Sequence, residues 1–198
     1  ERIGSMIAFH TPTLEDKPWI DAALRSSGER GCEYTFANLF AWSAPYRQHV
    51  AQIEGCLTAH MTGAIGLCYL YPVGGDERAA LTALQEDARE RGERFQLACI
   101  SEEHIQKLEQ WFPGAFLFEP DRDGFDYLYD INRLCELTGK KLHGKRNHIN
   151  RFLEEHPDWS FEPITAANLT ECAAMDERWY QENLGYDGDE TMREDGVA

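Results

Sequence analysis

The sequence predicts an α/β protein (α+β, around a mixed sheet), with one complete unit followed by the beginning of a second. Three observations carry this. Strand and helix patterns alternate over residues 7–130 in the order β-α-α-β-β-β-α-β-α-β-β. Three of those strands lie close together, separated by turns at Gly55 and Gly63, as in an antiparallel meander. A strand-then-helix pattern recurs at residues 159–184 and repeats the opening of the first unit.

Each element has its own signal. Residues 7–10 read as a short strand. Asp16 is expected to cap a helix from Lys17, with Pro18 in the first turn and Trp19, Ile20, Ala23 and Leu24 on one face. A second helix is expected at residues 34–46, broken near Pro45. The meander strands are expected at 48–54, 57–61 and 64–71. The clearest helix starts at its cap Asp76, buries Ala80, Leu81, Leu84 and Ala88, and stops at Gly92. Residues 94–100 read as a strand. Ser101 caps a helix carrying Ile105, Leu108 and Phe112, stopped at Pro113-Gly114. Residues 115–119 and 125–130 read as a hairpin. A short helix at 131–138 ends at Gly139, and another ends before Pro157. Thr165 caps a last helix through Leu184, stopped at Gly185.

Composition excludes several classes. With 19 basic and 35 acidic residues the formal net charge is −16, which argues against nucleic-acid binding by the whole surface. No apolar run reaches the roughly 20 residues that span a bilayer. No signal peptide is visible, and Glu1 to Ser5 are expected to be an added remnant before Met6. The six cysteines are scattered without a C-x-x-C pair, as free cytosolic thiols would be. The histidines show no metal-binding spacing, so no metal is expected. The expected location is cytoplasmic.

The stretch KKLHGKRNHINR at residues 140–151 is the one concentrated basic island. It holds Lys140, Lys141, Lys145, Arg146 and Arg151 and no carboxylate. Either it pairs with the protein's own acids, for example at residues 121–126, or it meets an external anion such as a phosphate. Asn147 and Asn150 can add hydrogen bonds to such a ligand, or cap and face solvent. On a helix starting near Gly144, Lys145 and Arg146 share a side with Ile149, Phe152 and Leu153, which is expected to face the protein. His143 and His148 have no nucleophile or orienting partner beside them in sequence. Tyr127, Tyr129, Trp42, Trp111, Trp159 and Trp179 read as packing residues.

The element order of the first unit matches the GNAT acyltransferase topology, which is fold-level analogy. Three segments resemble a bacterial family related to the C-terminal domain of phosphatidylglycerol lysyltransferases. They are YTFANLFAW at 34–42, DYLY at 126–129 and LTGKKLHGKRNHINRF at 137–152. The resemblance implies two GNAT-like units in tandem: residues 6–130 as the first, 131–157 as a basic helical connector, and 158–198 as the incomplete start of the second. It implies transfer of an acyl or aminoacyl group from acyl-CoA or aminoacyl-tRNA to an amine or hydroxyl acceptor, such as a lipid head group. The first unit would be mainly structural. The catalytic residues would lie past Ala198, leaving this chain inactive alone. The alternative is a non-catalytic module that docks RNA or an acidic partner through the island.

In GNAT enzymes the loop after the fourth strand holds the pyrophosphate of acyl-CoA on backbone N–H groups. Here that loop is Pro72-Val-Gly-Gly-Asp76. Gly74 and Gly75 fit the role. The basic or amide residue is missing, and Asp76 and Glu77 place negative charge where phosphates would sit. A capped turn is the competing reading.

Overall fold

The structure, a computed structural model, describes residues 7–63 and 66–183. Residues 1–5, expected to be an added remnant, the start of the third meander strand and the end of the last helix near Gly185 lie outside the described residues. The described residues form a four-stranded mixed sheet and seven α-helices. They divide into two compact units, one running to Asp123 and the other starting at Gly124.

In the first unit, α1 spans Lys17–Ser27 and α2 spans Phe36–Ala41. Asp16 takes the N-cap position of α1 as expected, but its side chain makes no cap hydrogen bond there. Its carboxylate turns back to accept from the backbone N–H and hydroxyl of Thr13, so Thr13 opens a 3-10 turn, Leu14–Asp16, that leads into α1. Thr35 caps α2 by accepting from Asn38 N–H at 3.2 Å.

The antiparallel meander forms: β1 (His49–Ile53), β2 (Cys56–Gly63) and β3 (Gly66–Leu70) pair antiparallel, with Gly63, expected in the second turn, as the last paired residue of β2. Glu54 and Gly55 join β1 to β2 with φ of 50° and 79°, the left-handed pair that a two-residue hairpin turn requires. Next, α3 spans Glu77–Arg91, between its cap Asp76 and a left-handed Gly92. β4, Leu97–Ala98, then pairs parallel to β3, and α4 spans Glu102–Trp111.

Side chains alternate across the sheet. One face buries Val50, Leu57, Ala59 and Leu70 with Ile20 of α1, Phe36 and Leu39 of α2 and Leu108 of α4. The other buries Leu67 and Tyr69 against Leu84 and Ala88 of α3.

Five expected strands change. Residues 7–10 keep a single bridge, His10 to Val50. Residues 94–100 shrink to β4, because Cys99 adopts a left-handed φ of 58° and turns the chain out of the sheet. With so short an edge there is little to pair with, and neither half of the hairpin at 115–130 becomes a strand. Phe116 and Phe118 instead pack against the core as side chains on an extended segment. Residues 159–164 also form no strand. Strand formation needs a partner edge, and apolar alternation alone does not supply one.

The second unit comprises α5 (Ile131–Glu136), a 3-10 turn at Lys140–Leu142, α6 (His143–Glu155) and α7 (Leu169–Asn183). Among its described residues Leu137 is the buried one. The expected inward side of α6 does not form: Ile149, Phe152 and Leu153 stay 41–47% exposed.

Candidate functional site

The loop expected to cradle phosphates is packed against the protein itself. A Cβ on Gly74 would lie 2.7 Å from the Ala23 carbonyl oxygen of α1, and Gly74 has a φ of +95°. A Cβ on Gly75 would lie 2.4 Å from the Gly55 backbone. Asp76 N–H donates to Glu54 O at 3.0 Å, which ties the loop to the β1–β2 turn. Close backbone approach therefore accounts for both glycines. Asp76 caps α3 through Ala79 N–H at 3.0 Å.

Behind this loop the carboxyl ends of the parallel strands β3 and β4 feed α3 and α4. In open α/β sheets this is where ligands settle. Here protein side chains fill the space. Tyr71 OH donates to Glu77 Oε2 at 2.9 Å, and Lys107 Nζ donates to both Glu77 oxygens at 2.9 and 3.1 Å. Burial first, and then the bond to Glu77, push the Tyr71 phenol well above its ordinary range. His104 stacks on Tyr71 with ring centroids 3.8 Å apart. Its Nδ1 accepts from Ser101 N–H at 3.3 Å, so Nε2 carries the proton and donates to Glu29 Oε1 at 2.9 Å.

Sequence reading missed this Glu29–His104 pair. One signal was present: a histidine stands at the third position of a Ser-capped helix, where Glu or Gln usually completes the capping box. Nothing local pointed to Glu29, which is 75 residues away.

The basic island surrounds the N-terminus of α6. Lys140 and Lys141 stand in the preceding 3-10 turn and Lys145 in the first helical turn. All three are exposed, and none makes an ion pair among the described residues. Leu142, at the cap position, offers no side-chain acceptor. Three ammonium groups thus gather at the N-terminal end of α6.

The other residues named from sequence divide. Arg146 Nη1 donates to Leu137 O and, at 3.0 Å, to Gly139 O. It closes the end of α5, where Leu137 adopts a left-handed φ of 49°. Asn147 Nδ2 lies 3.3 Å from His143 Nε2. Asn150 is exposed, and Arg151 pairs with Glu155 at 3.7 Å. Tyr127 and Tyr129, expected to pack, are 85% and 58% exposed.

The family described as "Phosphatidylglycerol lysyltransferase, C-terminal" matches residues 24–194, and the chain belongs to it. A solved structure, "Conserved Protein of Unknown Function from Bacteroides thetaiotaomicron VPI-5482", is similar at 34% identity and a TM-score of 0.82. The alignment covers 97% of this chain and 66% of that one, so this chain spans less than two thirds of its length. No curated protein matches. No helix among the described residues is long and apolar enough to cross a membrane.

Proposed function

We propose that this chain is part of a tandem GNAT-type transferase in which the α6 region holds phosphates of the donor or acceptor. The donor would be an aminoacyl-tRNA or acyl-CoA, and the acceptor an amine or hydroxyl group, as in a lipid head group. The observation that carries this is Lys140, Lys141 and Lys145, which lack carboxylate partners among the described residues of a chain with a net charge of −16. Family membership supports transfer as the reaction class. Catalysis would rest on holding donor and acceptor together and on stabilising the tetrahedral oxyanion. The first unit acts as scaffold, consistent with the Glu77, Lys107 and His104 side chains that fill the end of its parallel strands. A cytoplasmic location goes with this reading.

The packed Gly74-Gly75 turn favours a second reading. In it the chain has lost donor binding and is a non-catalytic module that docks RNA or an acidic partner. Acetyl-CoA calorimetry and tRNA fluorescence anisotropy separate the outcomes. Salt-sensitive tRNA binding without acetyl-CoA binding supports the α6 assignment. Acetyl-CoA binding tighter than about 100 μM gives the first unit a donor site and contradicts its role as scaffold. Transfer of the aminoacyl group by a chain extended to the length of the Bacteroides structure decides for the enzyme. Its absence, with tRNA binding retained, decides for the module.

A further inference from the structure

The segment leaving α1 frames an open cavity of about 520 Å³ in the first unit. Its wall combines Asp21, Arg25, Glu29 and Arg30 with Leu24 and Phe36. The carboxylate of Glu29 is held from behind by fully buried His104, which occupies one acceptor position on Oε1. The Glu29 side chain is 21% exposed, and its remaining acceptor positions are unclaimed among the described residues. Arg30 is exposed and makes no hydrogen bond or ion pair among them. Asp21 is engaged by Lys17 and Arg25.

The charges select the ligand. Asp21 and Arg25 offset each other, so a simple cation would meet repulsion from Arg30, and a simple anion repulsion from Glu29. A molecule bearing both charges meets a partner for each. We propose that this cavity binds a small zwitterion of the free α-amino-acid class. Its ammonium group is held by Glu29 and its carboxylate by Arg30, with its carbon chain against Leu24 and Phe36. The fixed His104–Glu29 bond pre-orients the carboxylate, which lowers the ordering cost of binding. The site lies wholly within the first unit and is independent of the transfer reading.

The test is an isotope-edited NMR titration with L-alanine, L-lysine and L-glutamate, and with n-butylamine and butyrate as single-charge controls. At least one amino acid should bind, with shifts around Glu29 and Arg30, and neither control should. Arg30→Gln and Glu29→Gln should each weaken binding about tenfold or more. If Glu29→Gln fails to fold, Arg30→Gln decides alone, because exposed Arg30 makes no bond among the described residues. Absence of binding by all three amino acids, controls that bind equally well, or unchanged affinity in Arg30→Gln overturns the proposal.

Discussion

His104 donates its Nε2 proton to Glu29 at 2.9 Å, joining the first turn of α4 to the segment that follows α1. The imidazole is fully buried and stacked on Tyr71, so removing it leaves both a void and a carboxylate without its donor. His104→Ala should destabilise the first unit by about 2–4 kcal/mol. Urea denaturation checks this, and an unchanged midpoint would show that the contact contributes nothing.

Asp87 gives the fold an acid-sensitive point. Its carboxylate accepts from Tyr69 OH at 2.7 Å, Arg91 Nε at 2.6 Å and Ile7 N–H at 3.1 Å. Burial raises its pKa, but these bonds outweigh burial and hold the carboxyl below its usual range. A depressed folded pKa contributes stability that is present above the unfolded value, about 3.9, and lost as pH falls through the folded one. Asp87→Asn should cost about 2–3 kcal/mol at neutral pH and remove this loss on acidification. Denaturation midpoints of both proteins below pH 4 test it.

His60 acts at milder pH. Burial, then the neighbouring His49 and Arg91, lower its pKa to about 4, and its buried Nδ1 has no hydrogen-bond partner among the described residues. A base that is harder to protonate when folded favours unfolding as pH drops from its unfolded value, about 6.5, toward its folded one. Stability should therefore fall by about 1–3 kcal/mol across that window. His60→Phe, which keeps a ring against Phe9, should flatten that part of the profile. A parallel decline in both proteins would place the effect elsewhere.

Gly74→Ala and Gly75→Ala should each destabilise by about 2–4 kcal/mol, because the new methyl meets backbone at 2.7 and 2.4 Å. Thermal melts of the two variants decide this. Wild-type stability would mean that the turn has room and that its glycines serve something other than packing.

Legibility from sequence followed the range of the interactions. The helix at Glu77–Arg91 was readable to the residue at its Asp76 cap and Gly92 stop, since both signals act within one turn. The meander was readable from its turns. The hairpin at 115–130 failed because pairing depends on an edge elsewhere in the chain, and Cys99 removes that edge. At the candidate site, the charge of residues 140–151 was plain. The sequence did not distinguish Arg146, which closes α5 through backbone carbonyls, from the lysines that have no partner among the described residues. Glu29 and His104 were unreadable as a pair because only the fold brings them together.

Lys140, Lys141 and Lys145 are proposed to form a phosphate-binding surface. Its most direct test compares wild type with the triple variant Lys140→Ala, Lys141→Ala, Lys145→Ala in tRNA anisotropy across a salt series. Wild-type binding should weaken with salt. In the variant, affinity should fall by about tenfold or more, and the log–log salt slope by about 2–3. An equally stable variant with the same affinity and slope, or a wild type that binds neither tRNA nor phosphatidylglycerol vesicles, would contradict it.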